Sequence, residues 1–304
     1  MKNSKLWGID LGGTKIEGVV LNNSTLEVIS RTRIATEAQH GYEHILQRIK
    51  LLIDQISDEI KDKPTKVGIG TPGSIDPQSS VLKNSNSTSL NGKPFKTDLE
   101  KVLEVPIEMA NDANCCALAE YKMGIIPDEC PDAKVVFGVI MGTGVGGGIV
   151  VDGRLINGLH SIAGEWGHNF LDEEGGECYC GKIGCVERNI SGPALQRYYK
   201  SISGKELSLK EIHSNYKSGN DPYAKETMER LVDLFGKGIS VVVNILDPDA
   251  IVLGGGVGNI DLLYSEGKKA LDKYIFNVGG SHTKILKPKL GDSAGVFGAA
   301  LLVK

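Results

Sequence analysis

The chain has 304 residues, with 34 lysines and arginines against 38 aspartates and glutamates and a formal net charge of −4. The basic residues are scattered, which excludes the basic face that a nucleic-acid backbone needs. Hydrophobic residues make up 40% and charged residues 24%, globular proportions, and at about 150 residues per domain the length predicts two domains. Glycine is in excess, 39 of 304 residues against 11 prolines and without a G-x-y period. An ordinary chain carries about 7% glycine, so the surplus belongs at particular backbone positions and not in a linker or a collagen repeat.

In chain order, Leu6 to Asp10 reads as a buried strand, Leu11 to Lys15 as a turn, and Ile16 to Leu21 and Leu26 to Ile34 as the next two strands of a meander. Ile45, Ile49, Leu52, Ile53 and Ile56 are spaced for a helix over Tyr42 to Ile60. Val67 to Gly70 is a short strand ending at Thr71-Pro72-Gly73, Pro106 to Met109 another strand, and Asp112 to Met123 a helix. The opening pattern then recurs. Val135 to Ile140 is a strand, Met141 to Gly148 a glycine turn, and Ile149 to Val151 a returning strand, an internal repeat that predicts two similar domains. Helices follow over Ser191 to Lys200, Ser208 to Tyr216 and Tyr223 to Leu246, before a strand at Ala250 to Leu253 and a third glycine cluster, Gly254 to Gly258. The longest apolar stretch, Ile239 to Leu246, is interrupted by Asn244 and falls far below the roughly 20 residues that cross a bilayer. Met1 to Lys5 runs into the first strand without a signal-peptide core, so a cytoplasmic protein without a membrane partner is expected. There the six cysteines are thiols or metal ligands, not disulfides.

Three constellations carry chemistry. The glycine turns leave strands at their C-terminal ends, where backbone N–H groups can converge on an anion and bulky side chains would keep a phosphate away. Tight hairpins are the plain alternative, but three such turns, two of them with threonine, favour a nucleotide site. None is a Walker A or Rossmann fingerprint, so the nucleotide fold must be a different one. Cys178, Cys180 and Cys185 form a C-x-C-x4-C knuckle, and His168, in Gly164-Glu165-Trp166-Gly167-His168, lies within loop reach as a fourth ligand. A Cys3His set is closed and therefore suits a structural zinc. Cys115, Cys116 and Cys130 read as core or surface thiols. Asp112, in Asn111-Asp112-Ala113-Asn114, stands where a strand gives way to a helix; it is either a helix cap or a general base for a substrate hydroxyl. Glu165 and Glu187 flank the zinc loop, and paired acids suit recognition of a polyol.

These motifs together resemble the ROK family of sugar kinases and sugar-responsive repressors: Asp10 to Lys15, Asn111 to Asn114, Gly142-Thr143-Gly144, Glu165-x-Gly167-His168, Cys178-x-Cys180-Gly181-x-x-Gly184-Cys185-x-Glu187 and Gly254 to Gly256. Order and spacing agree over essentially the whole chain. Val81 to Phe95, Ala163 to Asn169, Asn244 to Asp249 and Gly291 to Gly295 look closest to bacterial fructokinases of the manno(fructo)kinase type, although Ser89 stands where those often carry tryptophan and the segment from Leu171 to Cys178 is short.

The resemblance implies an α/β protein of the actin-like ATPase (ribonuclease H-like) fold, two similar domains around a cleft with a small zinc-binding loop. Residues 1–111, joined by the C-terminal helix at about 292–304, would form the first domain, and 112–291, carrying the zinc loop 164–187, the second. ATP with Mg²⁺ would be the donor. Asp10 would orient the metal; Gly12, Gly13, Thr14 and Lys15, with Gly142, Thr143, Gly144, Val145, Gly146, Gly147 and Gly148, would hold phosphates; and Gly254, Gly255 and Gly256 would lie against adenosine. Asp112 maps onto the catalytic base, and Gly73, Asn86, Asn111, Glu165, His168 and Glu187 onto sugar contacts, with His168 also serving a structural Zn²⁺ beside Cys178, Cys180 and Cys185. The implied reaction is ATP-dependent phosphorylation of D-fructose to fructose 6-phosphate. Glucokinase and N-acetylglucosamine or N-acetylmannosamine kinase are the alternatives within the family. A repressor is the remote one, because such proteins carry a helix-turn-helix before the core and here the first strand starts within about five residues of Met1. A homodimer without nucleic-acid partners is expected.

Overall fold

The structure, a computed structural model, describes residues 4–85 and 87–304. The chain divides into two compact units, Met1–Pro127 with Gly153–Ala163 and Leu290–Lys304, and Asp128–Asp152 with Gly164–Lys289.

In the first unit, β1 (Lys5–Leu11), β2 (Lys15–Asn22) and β3 (Val28–Ala35) form the meander; α1 (Tyr42–Ile60), β4 (Val67–Thr71), α2 (Phe95–Leu103), β5 (Ile107–Asn111) and α3 (Asp112–Lys122) follow. The sheet order is β3-β2-β1-β4-β5, with β1, β4 and β5 parallel. Period-2 alternation along β1 serves two cores. Trp7, Ile9 and Leu11 join Ile45, Ile49, Leu52 and Ile56 of α1, whereas Leu6 joins the C-terminal helix Ala294–Leu301. On that second face the helix lies almost on the backbone of the sheet. A Cβ on Gly8 would sit 2.3 Å from Ala300 N and one on Gly68 1.8 Å from Ala299 O, and against α3 one on Gly298 would sit 1.8 Å from Cys115 O. This unit runs past residue 111 to Pro127, because Leu118 and Ala119 of α3 pack in one cluster with Ala294, Val296 and Ala300 of the C-terminal helix.

In the second unit, β6 (Val135–Met141) and β7 (Val145–Val151) make the second hairpin. The helices α4 (Val186–Ile190), α5 (Gly192–Ser203), α6 (Leu209–Ser218) and α7 (Pro222–Leu246) follow, then β8 (Ala250–Gly254), α8 (Leu262–Asp272) and β9 (Lys284–Leu286). Strands run in the order β7-β6-β8-β9, with β6, β8 and β9 parallel. Helix starts follow their capping chemistry. Ser208 closes a capping box with Glu211, and Asp221 accepts from Tyr223 N and Ala224 N just ahead of Pro222. The core joins Phe137 and Val139 of β6 with Leu231, Phe235 and Ile239 of α7. Each unit therefore repeats a hairpin followed by parallel strands. No helix among the described residues is long and apolar enough to cross a membrane.

Candidate active site

The parallel register of the first sheet sets two carboxylates along one edge. Asp10 pairs with Gly70 on β4, and Gly70 with Ala110 on β5, one residue before Asn111 and two before Asp112. Strands lie about 4.8 Å apart, so Asp10 and Asp112 stand two strand spacings from each other at the C-terminal edge, where ligands of open α/β sheets collect. Room for Asp10 comes from missing side chains: a Cβ on Gly295 would sit 3.0 Å from Asp10 Oδ2, and one on Gly70 3.4 Å from Oδ1. Burial pushes the Asp10 carboxyl up to about 6; Asp112 and Glu17 push the same way, and Lys15 and Arg33 oppose. Glu17 is itself held by Arg31 Nε at 2.5 Å and Arg33 Nη2 at 2.7 Å.

The cap of α3 is decided locally. Asn111 is the N-cap of α3, its Oδ1 accepting from Asn114 N at 2.7 Å, while Asp112 accepts from Ala113 N, at 2.8 Å, through Oδ1. Asp112 is open to solvent on one side and closed in by protein on the others, so desolvation raises its carboxyl while amide bonds pull it back. Beside it, the turn between β1 and β2 is tied by Gly12 N to Lys15 O at 2.9 Å, Thr36 N to Thr14 O at 3.0 Å and Thr36 Oγ1 to Gly12 O at 2.7 Å. Gly13 and Thr14 remain exposed. Gly73, at φ +88°, turns the chain where a Cβ would meet Lys83 O at 2.3 Å. Asn86 lies outside the described residues.

In the second unit two of the glycine clusters meet. Gly254 pairs with Ile140 in the β8–β6 register, and a Cβ on Gly255, at φ +82°, would lie 2.3 Å from Met141 O. The turn itself is shorter than expected. Only Gly142, Thr143 and Gly144 form it, and Val145, Gly146, Gly147 and Gly148 belong to β7. Gly147 serves packing, since its Cβ would reach Phe137, Trp166 and the carbonyl of Gly164. Gly254 to Gly258 is likewise not an open turn, because Gly255–Gly258 makes one turn of helix.

Close backbone approach also sets Glu165 and His168. Gly164 would meet Gly147 O at 2.5 Å and Gly167 would meet Val145 O at 2.0 Å if either bore a Cβ. Trp166 between them is buried edge-on against Phe137, which leaves Glu165 and His168 half-buried. Glu187, on α4, accepts from Val145 N at 3.0 Å, and Gly192 N donates to Gly142 O at 2.9 Å. The helices after the cysteine loop are thereby fastened to the Gly142 turn.

The donor atoms of His168, Cys178, Cys180 and Cys185 all lie within 4.8 Å of one another. Cys178 Sγ is 3.7 Å from His168 Nδ1, and Cys180 Sγ is 3.6 Å from Cys185 Sγ. Ligands at 2.0–2.3 Å around a tetrahedral ion are about 3.3–3.8 Å apart, so this donor set fits zinc. Tyr179 Oη lies 3.0 Å from the other ring nitrogen, His168 Nε2. Partial desolvation pushes that phenol up to about 12, with Glu187, Cys178 and Glu165 adding to the shift. The loop is braced by Asn189, whose Nδ2 donates to Asp172 O at 2.9 Å, Cys185 O at 3.1 Å and Gly184 O at 3.3 Å, while Arg230 Nη2 donates to its Oδ1 at 3.1 Å. Neither Asn189 nor Tyr179 was expected to matter. Asn189 is fully buried, which the sequence does not disclose.

The ROK family pattern matches residues 6–304. This chain is a member of the ROK family. The ROK chain is 35% identical over 306 residues to the N-acetyl-D-glucosamine kinase of Vibrio atlanticus, spanning 97% of this chain and 98% of that one. Among solved structures it is similar to the ROK hexokinase of Thermus thermophilus, with a TM-score of 0.86 and 29% identity over 98% of this chain and 97% of that one. It is also similar to a ROK family glucokinase of Streptomyces griseus in complex with glucose and AMPPNP, with a TM-score of 0.77 and 27% identity over 98% of both chains. The family expected from the motifs is thus the family found, with its α/β fold. The fructokinase subtype gains no support from these relatives.

Proposed function

We propose N-acetyl-D-glucosamine as the acceptor of this ATP-dependent ROK-family sugar kinase, with the γ-phosphoryl group delivered to its primary hydroxyl at C6. The observation that carries this reading is the end-to-end match to an N-acetyl-D-glucosamine kinase at 35% identity. Asp112 is the catalytic base. It is open to solvent, relieved of capping by Asn111 and raised by burial, and so suited to accept the hydroxyl proton as the phosphoryl group transfers. The Gly12 to Lys15 turn and the Gly142 to Gly144 turn offer backbone amides to the phosphates, and Gly254 to Gly256 leave room for the adenosine. Asp10, with a carboxyl that burial has left short of compensation, is the residue to hold Mg²⁺, which supplies charge neutralisation on the phosphates when bound. Gly73, Asn86, Asn111, Glu165, His168 and Glu187 are the sugar contacts. Asn111 Oδ1 and one Glu187 oxygen already accept backbone amides, which leaves the Asn111 side-chain amide and the other Glu187 oxygen for hydroxyls. Zinc on His168, Cys178, Cys180 and Cys185 would hold the loop that carries His168 and ends before Glu187.

Fructose is the second reading, favoured by the resemblance of Val81 to Phe95 and Ala163 to Asn169 to fructokinases, and weakened by Ser89. An ADP-release assay over N-acetylglucosamine, N-acetylmannosamine, glucose, mannose and fructose tests both. The largest kcat/KM is expected with N-acetylglucosamine; a larger value with fructose would move the protein to the fructokinases.

A further inference from the structure

Tyr179 stands between two of the loop cysteines and is 74% exposed, yet its hydroxyl is engaged. It lies 3.0 Å from His168 Nε2, and the two rings meet edge to face at 5.2 Å and 89°. The other ring nitrogen, Nδ1, is turned toward Cys178 Sγ at 3.7 Å. With Nδ1 given to the four-donor cluster, Nε2 carries the only ring N–H, and a single N–H serves one good acceptor at a time. Any sugar hydroxyl that binds His168 through Nε2 must therefore meet Tyr179 first.

We propose that Tyr179 determines acceptor affinity and specificity by occupying the hydrogen-bond position on His168 Nε2 in the sugar-free protein, so that a sugar hydroxyl binds by displacing the phenol. This rests on the assignment of His168 to the sugar in the preceding reading. The geometry suits a displaceable group. The ring is mostly in water, it turns about two side-chain bonds, and a hydroxyl released to solvent regains its hydrogen bonds there. A rigidly buried phenol would block the site instead. The Glu187 and Glu165 carboxylates act electrostatically on the same hydroxyl, and both are assigned to the sugar in the preceding reading. Sugars that present a well-placed hydroxyl to His168 displace it, and sugars that lack one leave it in place.

The test is Tyr179→Phe, which keeps the ring contact and removes only the hydroxyl, with Tyr179→Ala as a second variant that removes both. In zinc-loaded protein without ATP, calorimetric titration with N-acetylglucosamine is expected to give a Kd lowered about 2- to 10-fold in both variants, the span of one net hydrogen bond. The KM for the sugar falls in parallel, while kcat, the KM for ATP and the zinc content per chain stay at the wild-type level. Sugar is also expected to produce a tyrosine near-ultraviolet difference signal in the wild type that is missing in Tyr179→Phe. Unchanged or weakened sugar binding at full zinc content would overturn the proposal while leaving the kinase reading intact, and so would loss of zinc from Tyr179→Phe. A wild type that neither binds nor phosphorylates any sugar would overturn the kinase reading as well.

Discussion

At the residue scale, the edge of the first sheet carries an electrostatic debt. Asp10 has a carboxyl raised from 3.8 to about 6, chiefly by burial, so between about pH 4 and pH 6 the folded chain holds a proton that the unfolded chain has released. Stability from this group is full below the unfolded value and is lost as the pH rises through the folded one. Asp10→Asn, free of that titration, is expected to melt above the wild type at pH 8 without Mg²⁺. The gap should narrow toward pH 5, and a gap independent of pH would contradict the assignment. Asp112→Asn keeps the shape and removes the proposed base, so turnover is expected to fall by about 10²-fold or more, with sugar and ATP binding retained by calorimetry. Asp112 was legible as a candidate because a lone acid after a strand has few roles; that Asn111 takes the cap was not, since either side chain can accept the amide at N3. The Asp10 shift was not legible either, because it depends chiefly on burial, with Asp112 and Glu17 adding to it, and only the assembled sheet and helices set either.

At the scale of elements, glycine does two kinds of work. The turns at Gly12 and Gly142 stand open, as strand ends followed by glycines suggest. Gly147 of β7, together with Gly8, Gly68 and Gly298, instead lets helices and loops lie directly on neighbouring backbone. Gly298→Ala would place a Cβ 1.8 Å from Cys115 O, and overpacking of this kind costs about 1–3 kcal/mol or more; a clear fall in melting temperature with unchanged secondary structure is expected. Such positions are invisible in the sequence, where a packing glycine and a turn glycine look alike. The Cys3His cluster was the most legible element, because C-x-C-x4-C with a histidine ten residues upstream keeps its four donors local in sequence, but the brace at Asn189 was not, since that side chain's four contacts come from residues up to 41 positions away. Elemental analysis is expected to find one zinc per chain, and stripping it with a chelator is expected to lower both melting temperature and turnover. Full activity in a zinc-free preparation would contradict the structural role.

At the scale of the whole molecule, the repeat read from two hairpins extends into the sheets, since each unit sets parallel strands beside its hairpin in the same order. Two hairpins disclose a repeat because local alternation is written in the chain. The boundary near 111 was harder, since α3 joins the first unit through contacts with a helix at the far end of the sequence. The sugar is the least legible feature, because the acids and histidine proposed to meet hydroxyls suit several hexoses alike. The central claim is transfer of phosphate from ATP to the primary hydroxyl of N-acetyl-D-glucosamine, and ³¹P NMR of the purified protein with Mg²⁺, ATP and that sugar tests it most directly. A phosphomonoester resonance coupled to the C6 protons, rising in step with ADP and absent with Asp112→Asn, is the predicted result. Inorganic phosphate as the sole product, or ATP left unconsumed, would contradict it.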